Sequence, residues 1–223
     1  MHLLILAATL AAVHPYSTAG IDHIMIGVAD LDAGIAAFER VTGVAPMRGG
    51  RHPMRGTENA LVSLGGGAYL EIIAPQRDAP PNEMVTGLRA LKAPALVGWA
   101  VHVVDAKESA ALLTRHGFMT SPPQPGARVT PQGATLAWST FNLQKPMANA
   151  PFFIEWSATT THPSVTSPGG CTLAAFSVSD PAGDDLARLF GSLGVKADVR
   201  KAEHPAMHLD LRCGKRTASF GSL

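Results

Sequence analysis

The chain has 223 residues, of which 46% are hydrophobic and 16% charged. That balance excludes a disordered chain, and the length gives one large domain or two small ones a core that needs no staples. Eighteen Lys and Arg against 17 Asp and Glu leave a net charge of +1. No basic field exists to hold a polyphosphate backbone, which argues against nucleic acid as a main partner.

Residues 3–13 (LLILAATLAAV) form an apolar run. It is shorter than the roughly 20 residues a bilayer span needs, so no membrane span is expected. It has the length of a secretory signal core, with Ser17 and Ala19 at the small-residue positions before a cut ahead of Gly20. No Lys or Arg precedes the run, so a buried strand and a start codon placed too early compete with that reading. Residues 1–19 are therefore read as a signal peptide or an N-terminal extension, with export to a compartment such as the periplasm favoured over the cytoplasm.

Past Gly20 one pattern recurs. Residues 21–28 (IDHIMIGV) read as a strand, Asp30 as an N-cap, and residues 31–42 as a helix, with Leu31, Ile35, Phe38 and Val41 at helical spacing and Gly43 as the stop. A Gly- and Arg-rich loop follows, then strands at 60–64 and 68–75 around a Gly65-Gly66-Gly67 turn. Asn82 is expected to cap a short connecting helix. The pattern restarts with a strand at 96–104, Asp105 as cap, a helix at 106–116, a proline-rich loop, and strands at 134–141 and 151–157. It restarts again with a strand at 172–178, Asp180, a helix at 183–193 ended by Gly194, and short strands at 196–200, 208–213 and 217–220. Asp30, Asp105 and Asp180 stand 75 residues apart, and a fixed period means a repeated unit. The fold class expected is α+β: tandem βαβββ modules in one cupped mixed sheet over residues 20–160, and a partial third module over 161–223. Cys171 and Cys213, the only two cysteines, are read as buried thiols in preference to a single bridge.

The segments DHIMIGVADLDAGIAAF, GGRHPMRGTEN, AYLEIIAP and PFFIEW resemble the glyoxalase-like branch of the vicinal oxygen chelate superfamily. The GRHPxRGTxN piece is the most specific. The resemblance implies paired modules whose sheets curl into a cup, where a small substrate binds, often on a divalent metal held by first- and last-strand ligands. It implies His23 as the first-strand ligand, Glu71 as the last-strand ligand of module one, and Glu155, in FFIEW, as its counterpart in module two and as a candidate general base. Glu is rarely buried without a cation or a partner, which favours function at both glutamates. The fourth position, seven residues before Asp105, is Gly98, a gap in the ligand set, and His102 lies too far along the strand to fill it. Zn, Fe, Mn, Ni or Co would suit a His and carboxylate set.

The 50–59 loop adds Arg51 and Arg55, forked cations suited to a carboxylate or phosphate. It also adds His52 as an acid/base group or missing ligand, and Thr57 and Asn59 as neutral hydrogen-bonding groups. His116 reads as a helix-end cation. Trp99, Trp138 and Trp156 read as core. There is no GxGxxG, P-loop or GxSxG motif, so no nucleotide cofactor is expected. Two functions compete: a metal-dependent lyase or isomerase acting on a small oxygenated substrate, and a metal-free protein that binds or sequesters a small molecule. A structural role comes third, with the third module closing the sheet or forming a homodimer face.

Overall fold

The computed structural model describes residues 19–145 and 147–222, so the expected leader lies outside the described residues. Module one runs β1 (Gly20–Gly27), α1 (Leu31–Thr42), β2 (Met47–His52), β3 (Thr57–Gly65) and β4 (Ala68–Pro75). The Asp30 carboxylate accepts from the Ala33 N–H at 2.9 Å, and Gly43 closes the helix in the left-handed conformation at φ 75°, as the sequence predicts. A short helix α2 (Glu83–Ala90), capped by Asn82, leads to module two: β5 (Ala95–His102), α3 (Ala106–Arg115), β6 (Gln124–Val129), β7 (Thr135–Phe141) and β8 (Phe152–Trp156).

Each module pairs its first strand parallel to its last, and β1 and β5 join them antiparallel. The result is one eight-stranded sheet in the order β2-β3-β4-β1-β5-β8-β7-β6. This is the expected cupped mixed sheet. Its outer edges meet: the buried Arg128 of β6 donates to the Gly49 carbonyl of β2, and Gly50 (φ 135°) has no room for a Cβ, which would stand 2.7 Å from the Val129 carbonyl oxygen. The curl therefore nearly closes into a barrel.

Two elements differ from expectation. The 47–59 segment is a hairpin, β2 to β3, turning at 53–56, rather than a loop. The prolines of 122–125 do not prevent a strand, because β6 is an edge strand and Pro125 gives up a donor that no ladder needs.

The last part carries α4 (Pro163–Thr166), β9 (Cys171–Asp180), α5 (Gly183–Leu193), β10 (Asp198–Lys201), β11 (Ala206–Cys213) and β12 (Arg216–Gly221). It keeps the βαβββ order but is wound differently, as a separate sheet in the order β10-β9-β11-β12. Asp180, in step with two helix caps in sequence, is not one. It is buried at the end of β9, where it accepts from the backbone N–H groups of Ala182 and Asn149. This sheet shares the core beneath the outer face of the large one: Trp99 meets Phe176 and Phe190 with ring centroids 5.2 and 5.3 Å apart, and Phe38 stacks on Phe220. Cys171 and Cys213 are joined in a disulfide, not left as thiols, because the β9–β11 register sets them directly opposite with Cα atoms 4.0 Å apart.

Candidate functional site

Alternation along the strands sorts the large sheet into two faces. Ile24, Ile26, Leu70, Ile72, Val101 and Phe153 turn outward to the common core. His23, Met25, Asn59, Tyr69, Glu71, Ile73, Phe152, Ile154 and Trp156 line the cup, with His52, Arg55, Arg128, Trp138 and Met84 around them. The cup is tight, with a free volume of about 60 Å³.

At its floor sits a buried polar cluster that one irregularity of β1 creates. The β1–β5 register slips between Ile21 and His23, leaving Asp22 as a bulged residue without a partner on β5. Consecutive side chains then meet: Asp22 Oδ1 lies 2.6 Å from His23 Nδ1. The other Asp22 oxygen accepts from the Trp156 indole N–H at 2.9 Å and lies 3.2 Å from His162 Nε2. Burial alone would raise the Asp22 carboxyl. Hydrogen bonds from His162 and His23 and the proximity of both rings outweigh it, holding the group well below the usual carboxylate range. An ionised carboxylate only accepts, so His23 carries its proton on Nδ1 and His162 carries its own on Nε2. His162 Nδ1 is left to accept from the Ser164 N–H and hydroxyl.

With Nδ1 committed, His23 turns Nε2 toward Glu71, whose Oε2 is 3.5 Å away. The His23 ring stacks on Tyr69 at 4.6 Å and meets Phe152 edge-on. Burial pushes Glu71 up, but His23, His52, a 2.6 Å bond from the Asn59 amide, and Arg128 together bring it below its ordinary value. His52 lies close enough to Glu71 and His23 to couple with both. Burial lowers its pKa, Arg128, Arg55 and His23 add to that, and Glu71 opposes, so the ring is neutral at pH 7.

The glyoxalase-like domain pattern matches residues 21–194. The chain belongs to the glyoxalase-like family of the vicinal oxygen chelate superfamily. No curated protein matches it in sequence. Among solved structures, a hypothetical protein from Staphylococcus aureus is similar at a TM-score of 0.60 and 16% identity, over 92% of this chain and 85% of that one. Methylmalonyl-CoA epimerase from Mycobacterium tuberculosis matches at a TM-score of 0.44 and 20% identity, over 69% of this chain and 92% of its own. The first of these likenesses speaks to fold alone.

Within this glyoxalase-like fold the expected ligand set is only half present. Glu155 does not face the cup. Alternation along β8 turns Phe152, Ile154 and Trp156 inward and Glu155 outward, where its Oε2 accepts from the Ala106 N–H at 2.8 Å, at the start of α3. The register names the true counterparts. Glu71 lies two residues past Tyr69, the partner of His23, and the same step from Gly98 in module two leads to Phe152. Glycine and phenylalanine donate nothing to a metal. Among the described residues no group of three or more His, Cys, Asp or Glu is placed to hold an ion. His23 and Glu71 are a donor pair, and the four-ligand set does not fit.

The other expected residues divide. Asn59 orients Glu71, and Thr57 holds His52 through a 3.1 Å contact of its hydroxyl with Nδ1. Arg55 stands at the mouth, whereas Arg51 is exposed, outside the cup, and 3.9 Å from Glu58. Trp99 is core as expected; Trp156 is also buried in a hydrophobic cluster, with Trp138 packed against it, and both line the cup as well. Sequence reading missed Asp22, His162, Arg128 and Phe152. The signal for Asp22 was present: an acid inside the apolar strand IDHIMIG has no reason to be there without partners.

Proposed function

We propose that the cup binds the reacting end of a small oxygenated molecule and that His23 moves a proton on it, the chemistry of an isomerase or lyase. The observation that carries this reading is the clamping of one imidazole between two carboxylates. Asp22 fixes the tautomer and would stabilise the ring as it becomes cationic, and Nε2 faces the cup beside Glu71. The neutral His52 and the Asn59-oriented Glu71 stand beside it to receive or return the proton. The aromatic walls and the narrow volume exclude water, which strengthens each of these interactions. No step is routed through a divalent cation, because module two offers Gly98 and Phe152 where donors would be required.

The test is solvent exchange. A panel of two- to four-carbon 2-oxo and 2-hydroxy acids and aldehydes is incubated with untagged protein in D2O and read by proton NMR, with and without chelator. Deuterium should enter at the carbon beside the carbonyl, persist with chelator, and slow by about 100-fold or more in His23→Gln. Exchange equal in the variant would sink the reading. Stoichiometric metal in the untagged protein, lost in His23→Ala, would replace it with the metal-dependent version. The aromatic lining from Tyr69, Trp138, Trp156 and Phe152 favours, as a second reading, metal-free binding of a planar ligand without turnover. Saturable quenching of the cup tryptophans with no exchange would select it.

A further inference from the structure

Behind the cup, on the far side of Arg128, lies a second and larger chamber of about 430 Å³. It fits between the outer edges of the large sheet and the segment that leads to α4. Its size falls within the range of small-molecule sites, about 300–1,000 Å³. Arg128 is the wall between the two spaces, lining both.

Arg128 is an anomaly. It is 5% exposed, yet among the described residues its only hydrogen bond is to the Gly49 carbonyl, and no Asp or Glu oxygen lies within 4 Å. A guanidinium has five N–H donors in a fixed fork, and a buried cation without a counter-ion is costly. The cup side does not suit an added anion, because Glu71 is close enough to act on Arg128 there. The chamber side does. Its lining holds a second arginine, Arg48, itself paired with Asp32 at the surface, five threonines including Thr135 and Thr159, and no carboxylate. Leu61, Leu136 and Met47 give it an apolar wall.

We infer that this chamber is a binding site for a small organic anion, whose carboxylate rests on the Arg128 fork, whose polar edge meets the threonine hydroxyls, and whose apolar body lies against Leu61 and Leu136. It adjoins the proton-transfer site of the cup across Arg128, but the inference does not rest on the reaction proposed there. An organic acid suits the volume and the mixed lining better than a bare inorganic anion does, and Arg presents the planar geometry that a carboxylate matches.

The test titrates phenylacetate, its neutral analogue phenylacetamide, and inorganic phosphate into the full chain, followed by methyl and backbone NMR. Phenylacetate should bind saturably, shifting the Thr135, Thr159 and Leu136 methyls. Arg128→Met should weaken it at least tenfold, His23→Gln should leave it unchanged, and phenylacetamide should not compete. Thr135→Phe, which fills the chamber from an exposed strand position, should abolish binding even if Arg128→Met does not fold. Three results would each overturn the inference: no saturable binding by phenylacetate, equal binding by phenylacetamide, or shifts confined to Tyr69 and Trp156, which would put the anion in the cup.

Discussion

Asp22 concentrates more consequence than any other residue. It anchors His23, His162 and Trp156 at once, so Asp22→Ala leaves buried N–H groups without an acceptor. The expected loss is about 3 kcal/mol or more in urea unfolding, since each orphaned donor costs about 1–3 kcal/mol. The same cluster sets the response to acid. Asp22 and Glu71 titrate below their ordinary values, and so does His52. In each case the unfolded chain binds more protons between the two pKa values, so stability rises with pH through that window. Unfolding free energy should therefore level off above about pH 7, fall as pH drops below about 6.5, where unfolded His protonates, and fall again below about 4.5 as unfolded carboxyls do. A midpoint that climbs on acidification from pH 7 to 5 would refute this. His23 and Glu71 were legible because the motif places them on strands; His52, Thr57 and Asn59 were legible as motif residues but were read in a loop, whereas they stand on the β2–β3 hairpin. Asp22 was passed over, although an acid in an apolar strand is a signal, because alternation assigns a bulged residue to neither face.

At the scale of elements, the strand–Asp–helix openings were legible because periodicity and capping chemistry are local. The face of β8 was not. With a side-chain period of two, one residue of register decides whether Glu155 or Ile154 enters the cup, and that register is set by pairing with β5 and β7, far away in sequence. Glu155 and Asp105 together serve first-turn N–H donors of α3 that have no partner within the helix, accepting from Ala106 and Glu108. Asp105→Ala should cost about 1 kcal/mol. Glu155→Gln should cost no more than that and leave ligand binding in the cup unchanged. Loss of binding in Glu155→Gln, with the fold intact by NMR, would reinstate it as a site residue.

For the whole molecule, the 75-residue period announces three units but not that the third is wound as its own sheet, since order in the chain does not determine order in a sheet. The disulfide that pins β9 to β11 closes a separation of 42 residues. Cys171→Ser should lower stability by about 2–4 kcal/mol, read as a shift in denaturant midpoint between oxidised and reduced samples. Equal midpoints would mean that the second sheet holds without its staple.

The meeting of β2 and β6 over Gly49 and Arg128 also governs how the molecule behaves in a crowd. A strand at the border of a sheet is a template on which a foreign strand can grow, and aggregation begins there. In the large sheet the two borders approach each other at Gly49–Gly50 and Arg128–Val129, which leaves an intruding strand little room along that stretch. The borders left are β10 and β12. Of these, β10 is four residues long and carries Asp198, Arg200 and Lys201, too short and too charged to recruit a neighbour. The curl that shapes the cup thus also crowds the approach of a second chain to the borders of the large sheet.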